Sequence, residues 1–220
     1  MSNVIPLERD VSYRQLSACI ETWFDRAGDC PLGMAWPNDA DAIARYDVML
    51  NLIPPAAGPV RLLDLGCGTG HLYQHLRTRP DLQVDYHGVD LSSRFIDIAQ
   101  EKFPEAQFSC GDILQSPNLL QTYDYAVMNG LFTMKCGLQH DQMWSFVQRM
   151  LIMVFSRVRC GMAFNAMSKH VDWERDDLFH LPLDTLAGFL CRKLTRHFVL
   201  RNDYRLYEFT TYVYHRSSRS

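Results

Sequence analysis

The sequence predicts a doubly wound α/β fold, and three observations carry that prediction. From residue 60 onward, short apolar runs bounded by turn residues alternate with amphipathic stretches of helix length, which is how βαβ units of a mostly parallel sheet read. The first apolar run passes from Asp64 into glycines at alternate positions, Gly66, Gly68 and Gly70, just before a helix-length stretch. The next two strand-like runs each end in an acid, Asp90 and Asp112. A chain of 220 residues, 47% hydrophobic and 21% charged, is long enough for one core, and its composition excludes the disordered and fibrous classes.

Taken in order, residues 11–27 form an amphipathic helix: Leu16, Cys19, Ile20, Trp23 and Phe24 recur at three- and four-residue spacings, while Arg14, Glu21 and Asp25 lie off that face, and Gly28 ends it. Residues 39–53 form a second helix on the stripe Ile43, Tyr46, Leu50 and Ile53, stopped by Pro54 and Pro55. Both precede the first strand, so residues 1–55 are expected to be an N-terminal helical lid and residues 56–216 the α/β domain, one globular unit. Strands are predicted at 61–65, 84–89, 107–110, 123–128 and 161–166, with helices at 70–78, 92–103, 141–158 and 184–194. Two strand-like runs, 197–200 and 207–215, flank a polar turn and predict a C-terminal antiparallel hairpin that brings the sheet to seven strands.

The net charge of -3 gives no overall attraction for polyphosphate, so a small-molecule partner is favoured over nucleic acid. Seven scattered cysteines without a C-x-x-C pair read as reduced thiols. The first ten residues carry Glu8, Arg9 and Asp10 and no signal-like apolar stretch, and the most apolar run, 150–155, is too short to span a bilayer. A soluble cytoplasmic protein, monomeric or homodimeric, is expected.

Alternating glycines let a backbone turn sharply and approach a ligand closely, and the helix start behind them offers free N–H groups. The G-x-G-x-G spacing after an acid differs from the G-x-G-x-x-G of pyrophosphate loops, in which the acid comes only later. Asp90 follows Gly70 by 20 residues, at a strand end where a carboxylate takes both hydroxyls of a ribose or else caps the helix that begins near Ser92.

Asp64-Leu65-Gly66-Cys67-Gly68-Thr69-Gly70, followed by Asp90 and Asp112, resembles the motif series of class I methyltransferases dependent on S-adenosylmethionine (SAM). By order of elements the resemblance spans residues 34–215. It implies a Rossmann-like sheet with SAM as cofactor, held by Asp64 and the three glycines. Asp90 would then bind the ribose, and Asp112 would accept from the adenine amino group with Leu91 and Ile113 beside the ring. At the fourth strand end, Asn129 would hold the cofactor's amino group or an acceptor, and Phe132 would face the sulfonium by cation–π attraction. Trp36 and the Arg45-Tyr46 pair resemble the aromatic and arginine positions with which small methyltransferases close over the cofactor, Arg45 pairing with its carboxylate.

The sulfonium already activates its carbons, so the protein has chiefly to align a nucleophile and exclude water. The leading expectation is methyl transfer to a small-molecule acceptor, giving S-adenosylhomocysteine. The same cofactor motifs serve SAM lyases resembling azetidine-2-carboxylate synthases, which cyclise the cofactor's own aminobutyrate chain and release methylthioadenosine. Tyr13 and Trp173 are candidates for an aromatic box around a cation. The polar run 170–180 either covers the acceptor or is a solvated connection. Its ligand-type residues His170, Asp172, Asp176, Asp177 and His180 match no zinc or calcium spacing, and no metal is expected. Arg192, Lys193, Arg196, Arg201 and Arg205 are the best support for a third reading, methylation of nucleic acid.

Overall fold

The computed structural model describes residues 12–55 and 57–216. The readings of the first ten residues, and Val11 of the first helix, lie outside them. A 3-10 turn at Ser12–Arg14 leads into α1 (Gln15–Ala27), and a second at Pro31–Met34 precedes α2 (Asp39–Leu50). Then come β1 (Val60–Leu65), α3 (His71–Leu76), β2 (Val84–Asp90), α4 (Ser93–Lys102), β3 (Gln107–Cys110), β4 (Tyr123–Phe132), α5 (His140–Phe155) and β5 (Val158–Ser168). The chain continues through β6 (His180–Leu181), α6 (Leu183–Lys193), β7 (Phe198–Arg201) and β8 (Glu208–Tyr214).

Seven strands lie in the order β3-β2-β1-β4-β5-β8-β7, parallel except that β8 runs antiparallel to both β5 and β7; the two-residue β6 adds an eighth strand beside the end of β5. The predicted sheet and hairpin are present. Strand order reverses between β1 and β4, and in open α/β sheets the crevice at such a switch point, outside the carboxyl ends of the strands, is where ligands bind.

Both faces of the sheet are covered, which is why its strands are apolar runs and not alternating ones. Successive residues of β1 go to opposite sides: Leu62 packs with Tyr86, Val127 and Leu72, whereas Leu63 packs with Ala126, Val147 and Leu151. Ser92 caps α4, its Oγ accepting from the Phe95 N–H at 3.2 Å.

Two boundaries differ in ways that matter. The helix predicted to reach residue 158 stops at Phe155, and Val158 opens a strand of 11 residues. The fourth strand does not stop at residue 128 but continues to Phe132 through a register irregularity after Met128. That bulge includes Gly130 at φ +81°, and it returns Phe132 to the core opposite Ala166.

Candidate cofactor and acceptor site

The glycine loop joins β1 to α3 at the switch point. Gly66, Gly68 and Gly70 have φ of +77°, +54° and +85°, left-handed values that a side chain would strain. The Gly68 N–H donates to Asp90 Oδ2 at 2.9 Å, and the Ser92 N–H donates to Oδ1 at 2.9 Å, so the β2 acid is locked to the loop and to the start of α4 together. Burial raises the Asp90 carboxyl, against these backbone hydrogen bonds. Asp64 is buried and accepts from Tyr86 Oη at 2.7 Å; burial pushes its carboxyl up to about 7, opposed by that hydrogen bond and reinforced by the charge of Asp90.

A cavity opens on this loop. Asp64, Gly66, Gly68, Asp90, Leu91, Asp112, Ile113 and Asn129 all line it, so eight residues predicted from separate strand ends are brought to one place. Trp36 lines it too. Its acidic side chains are Asp64, Asp90 and Asp112, joined by the imidazole of His71, and Leu16, Ile20, Met34, Leu131 and Met134 contribute apolar wall. Among the described residues no Lys or Arg lines the cavity.

The N-terminal segment forms one side of it. Tyr13, Leu16, Ser17 and Ile20 reach in from the 3-10 turn and α1. Tyr13 Oη donates to Asp112 at 2.9 and 3.0 Å to the two oxygens, while Arg14 approaches Oδ2 at 2.8 Å. Asp112 also accepts from the Leu114 N–H, so in this conformation an adenine amino group would have to share an acid that already anchors the 3-10 turn. Ser92 Oγ donates to Glu21 of α1. Cys19 and Cys136 form a disulfide between α1 and the loop after β4, which corrects the expectation of seven free thiols; five remain free. Asp29, after α1, ties that connection to the loop, accepting from Thr69 Oγ1 at 2.5 Å and pairing with His71 at 2.8 Å and Lys102 at 2.7 Å.

Three expected roles do not survive the geometry. Phe132 is wholly buried between Phe146 and Phe164 and is absent from the cavity wall, because the β4 bulge turns it inward. Trp173 is about half exposed and packs against Tyr207, away from the cavity. Arg45 is buried and engaged inside the protein: its Nε donates to Glu208 Oε2 at 3.0 Å and its guanidinium lies 4.3 Å from the Trp36 ring centre. Its Nη1 is buried without a hydrogen-bond partner.

Of the ligand-type cluster at 170–180, His180 is committed to the backbone, Nδ1 donating to Ser168 O at 2.6 Å and Nε2 accepting from the Arg175 N–H. Arg175 pairs with Asp177 and Lys169 with Glu174 along an exposed connection.

Asn165, Glu208, Asp29 and the Cys19–Cys136 pair were not predicted. Asn165 had one visible signal, a carboxamide inside the otherwise apolar run 161–166. Glu208 and the cysteines had none, since their partners are far away in sequence.

A doubly wound sheet with a reversed terminal hairpin, and a glycine loop bracketed by Asp64 and Asp90 at its switch point, are the arrangement of the class I methyltransferase fold. A model of the methyltransferase domain family matches residues 62–153. A protein of Mycobacterium tuberculosis (strain ATCC 25618 / H37Rv), provisionally named a methyltransferase, is 30% identical over 163 residues, covering 72% of this chain and 95% of its own. The chain belongs to the methyltransferases. The same fold occurs in the magnesium protoporphyrin IX methyltransferase of Synechocystis with bound SAM (TM-score 0.59, 14% identity, 97% of this chain and 99% of that one). It also occurs in a TehB-like SAM-dependent methyltransferase of Corynebacterium glutamicum (TM-score 0.56, 20% identity, 90% and 98%).

Proposed function

We propose that this methyltransferase acts on a small, uncharged, largely apolar acceptor held between the glycine loop and α1. The observation that carries this reading is the make-up of the cavity: its acids are the three expected to face the cofactor, most of the remaining wall is apolar, and no Lys or Arg lines it among the described residues. A charged acceptor buried there would lose its hydration without a partner. In the same reading Asp90 takes the ribose hydroxyls, Asp64 faces the cationic end of the cofactor, and Leu91 and Ile113 flank the adenine. Tyr13 lies where it touches the adenine edge or the acceptor. No general base stands in the apolar part, which suits an acceptor that is nucleophilic as bound.

The test is to incubate the protein with SAM, alone and with neutral apolar thiols and phenols or with their carboxylated counterparts, and to identify the nucleoside product by mass. S-adenosylhomocysteine formed with the neutral set is expected. Turnover confined to the charged set would refute the acceptor class, and methylthioadenosine from SAM alone would refute methyl transfer in favour of cyclisation.

A further inference from the structure

Behind the cavity wall runs a chain of buried polar side chains whose hydrogen-bond direction is fixed from both ends. Asn165, fully buried on β5, accepts the Gly130 N–H with Oδ1 at 2.7 Å. A backbone N–H can only donate, so this end fixes which way round the carboxamide lies. Its Nδ2 then donates to Glu208 Oε1 at 2.9 Å, and Glu208 is held as an acceptor by Arg45, whose Nε lies 3.1 and 3.0 Å from its two oxygens. The second Nδ2 hydrogen points the same polarity onward to Asn129 Oδ1 at 3.3 Å. Asn129 lines the cavity, and with its oxygen already accepting from Asn165 behind the wall its two amide N–H groups are the donors it can turn to a ligand.

We propose that Asn165, backed by Glu208 and Arg45, is a positioning residue that sets Asn129 as a hydrogen-bond donor to the carboxylate of SAM. This rests on the cofactor placement given above and reverses the polarity expected for Asn129, which as a partner of the cofactor's amino group would have to accept. Two further observations support it. The arginine expected to pair with that carboxylate has its Nε committed to Glu208 and is absent from the cavity wall, and Asn129 is the one carboxamide among the described lining residues. Gly130 holds the arrangement close: its φ of +81° and the Trp36 ring, 2.5 Å from where a Cβ would stand, leave no room for a side chain.

Calorimetry with SAM and with decarboxylated SAM separates the alternatives. Asn129→Asp is nearly isosteric but presents only acceptors. It is expected to weaken SAM by about tenfold or more, as loss of a charge-assisted hydrogen bond and its replacement by like charge should, while leaving decarboxylated SAM unchanged or tighter. Asn165→Ala is expected to lower the same SAM preference, and the double variant to be no worse than Asn129→Asp alone; a purely structural Asn165 would change melting temperature but not that preference. SAM bound by Asn129→Asp as tightly as by the wild type, or more tightly, overturns the proposal. Failure of the wild type to bind SAM would instead strike at the cofactor placement itself.

Discussion

Burial holds the Asp64 carboxyl up at about 7, with the charge of Asp90 adding to it and the Tyr86 hydrogen bond pulling the other way. Its ordinary value is 3.8, so between these two values the folded protein keeps a proton that the unfolded chain has released. The associated stability is therefore present below about pH 4 and lost as pH rises through about 7. Asp64→Asn should flatten that part of the melting temperature profile between pH 5 and 8; an unchanged slope would mean that the folded carboxyl titrates normally. SAM carries the opposite sign. Its cations favour the carboxylate, so wild-type affinity should rise from pH 6 to 8 with release of a proton, seen as a buffer-dependent binding enthalpy, and Asp64→Asn should remove that dependence. Asp64 was recognisable beforehand because an acid before G-x-G-x-G is a local pattern. Its raised carboxyl was not, because the burial that lifts it and the charge of Asp90 that adds to it arise only when β1 pairs with β2 inside the sheet.

At the scale of elements, α1 is the piece whose attachment is most unusual for its length. A helix of 13 residues is held to the site by Glu21 on Ser92, by a disulfide to Cys136, and by Tyr13 and Arg14 on Asp112 just before it. The disulfide spans 117 residues of sequence, and in the chain-entropy account closing so long a loop stabilises the fold by about 4–5 kcal/mol. Reduction, or Cys19→Ser, is expected to lower the melting temperature and to raise amide exchange along α1 more than in the central strands. Exchange in α1 unmoved by reductant would assign its docking to the polar contacts alone. The helix itself was legible, since a stripe at three- and four-residue spacing needs only neighbours in sequence. The partner of Cys19 was not, because nothing local to either cysteine names the other. The β4 bulge was hidden for a similar reason: Asn129-Gly130 reads as a turn, and only pairing with β5 shows that the strand resumes and carries Phe132 inward.

Across the whole molecule, the Arg45–Glu208 pair joins α2 to β8 over 163 residues of sequence in a buried setting. Glu208→Ala would leave a guanidinium buried without its acid and is expected to cost about 3–5 kcal/mol in denaturant unfolding, with Glu208→Gln milder because Asn165 keeps an acceptor. Equal losses in the two variants would mean that the charge of Glu208 matters little. The α/β order and the terminal hairpin were both legible, because each follows from the alternation of periods along the chain. What the hairpin contributes to the cavity was not, since Glu208 works only through the register of β8 against β5. That register also sets an order of completion during synthesis. Once residues 60–168 have left the ribosome, the glycine loop, Asp90, Asp112 and Asn129 all exist, yet the acid that fixes the direction of the polar chain behind Asn129 has not been made. The loop-side residues of the cavity thus precede in synthesis the acid behind Asn129, which comes with β8, the last strand made and the one lying between β5 and β7.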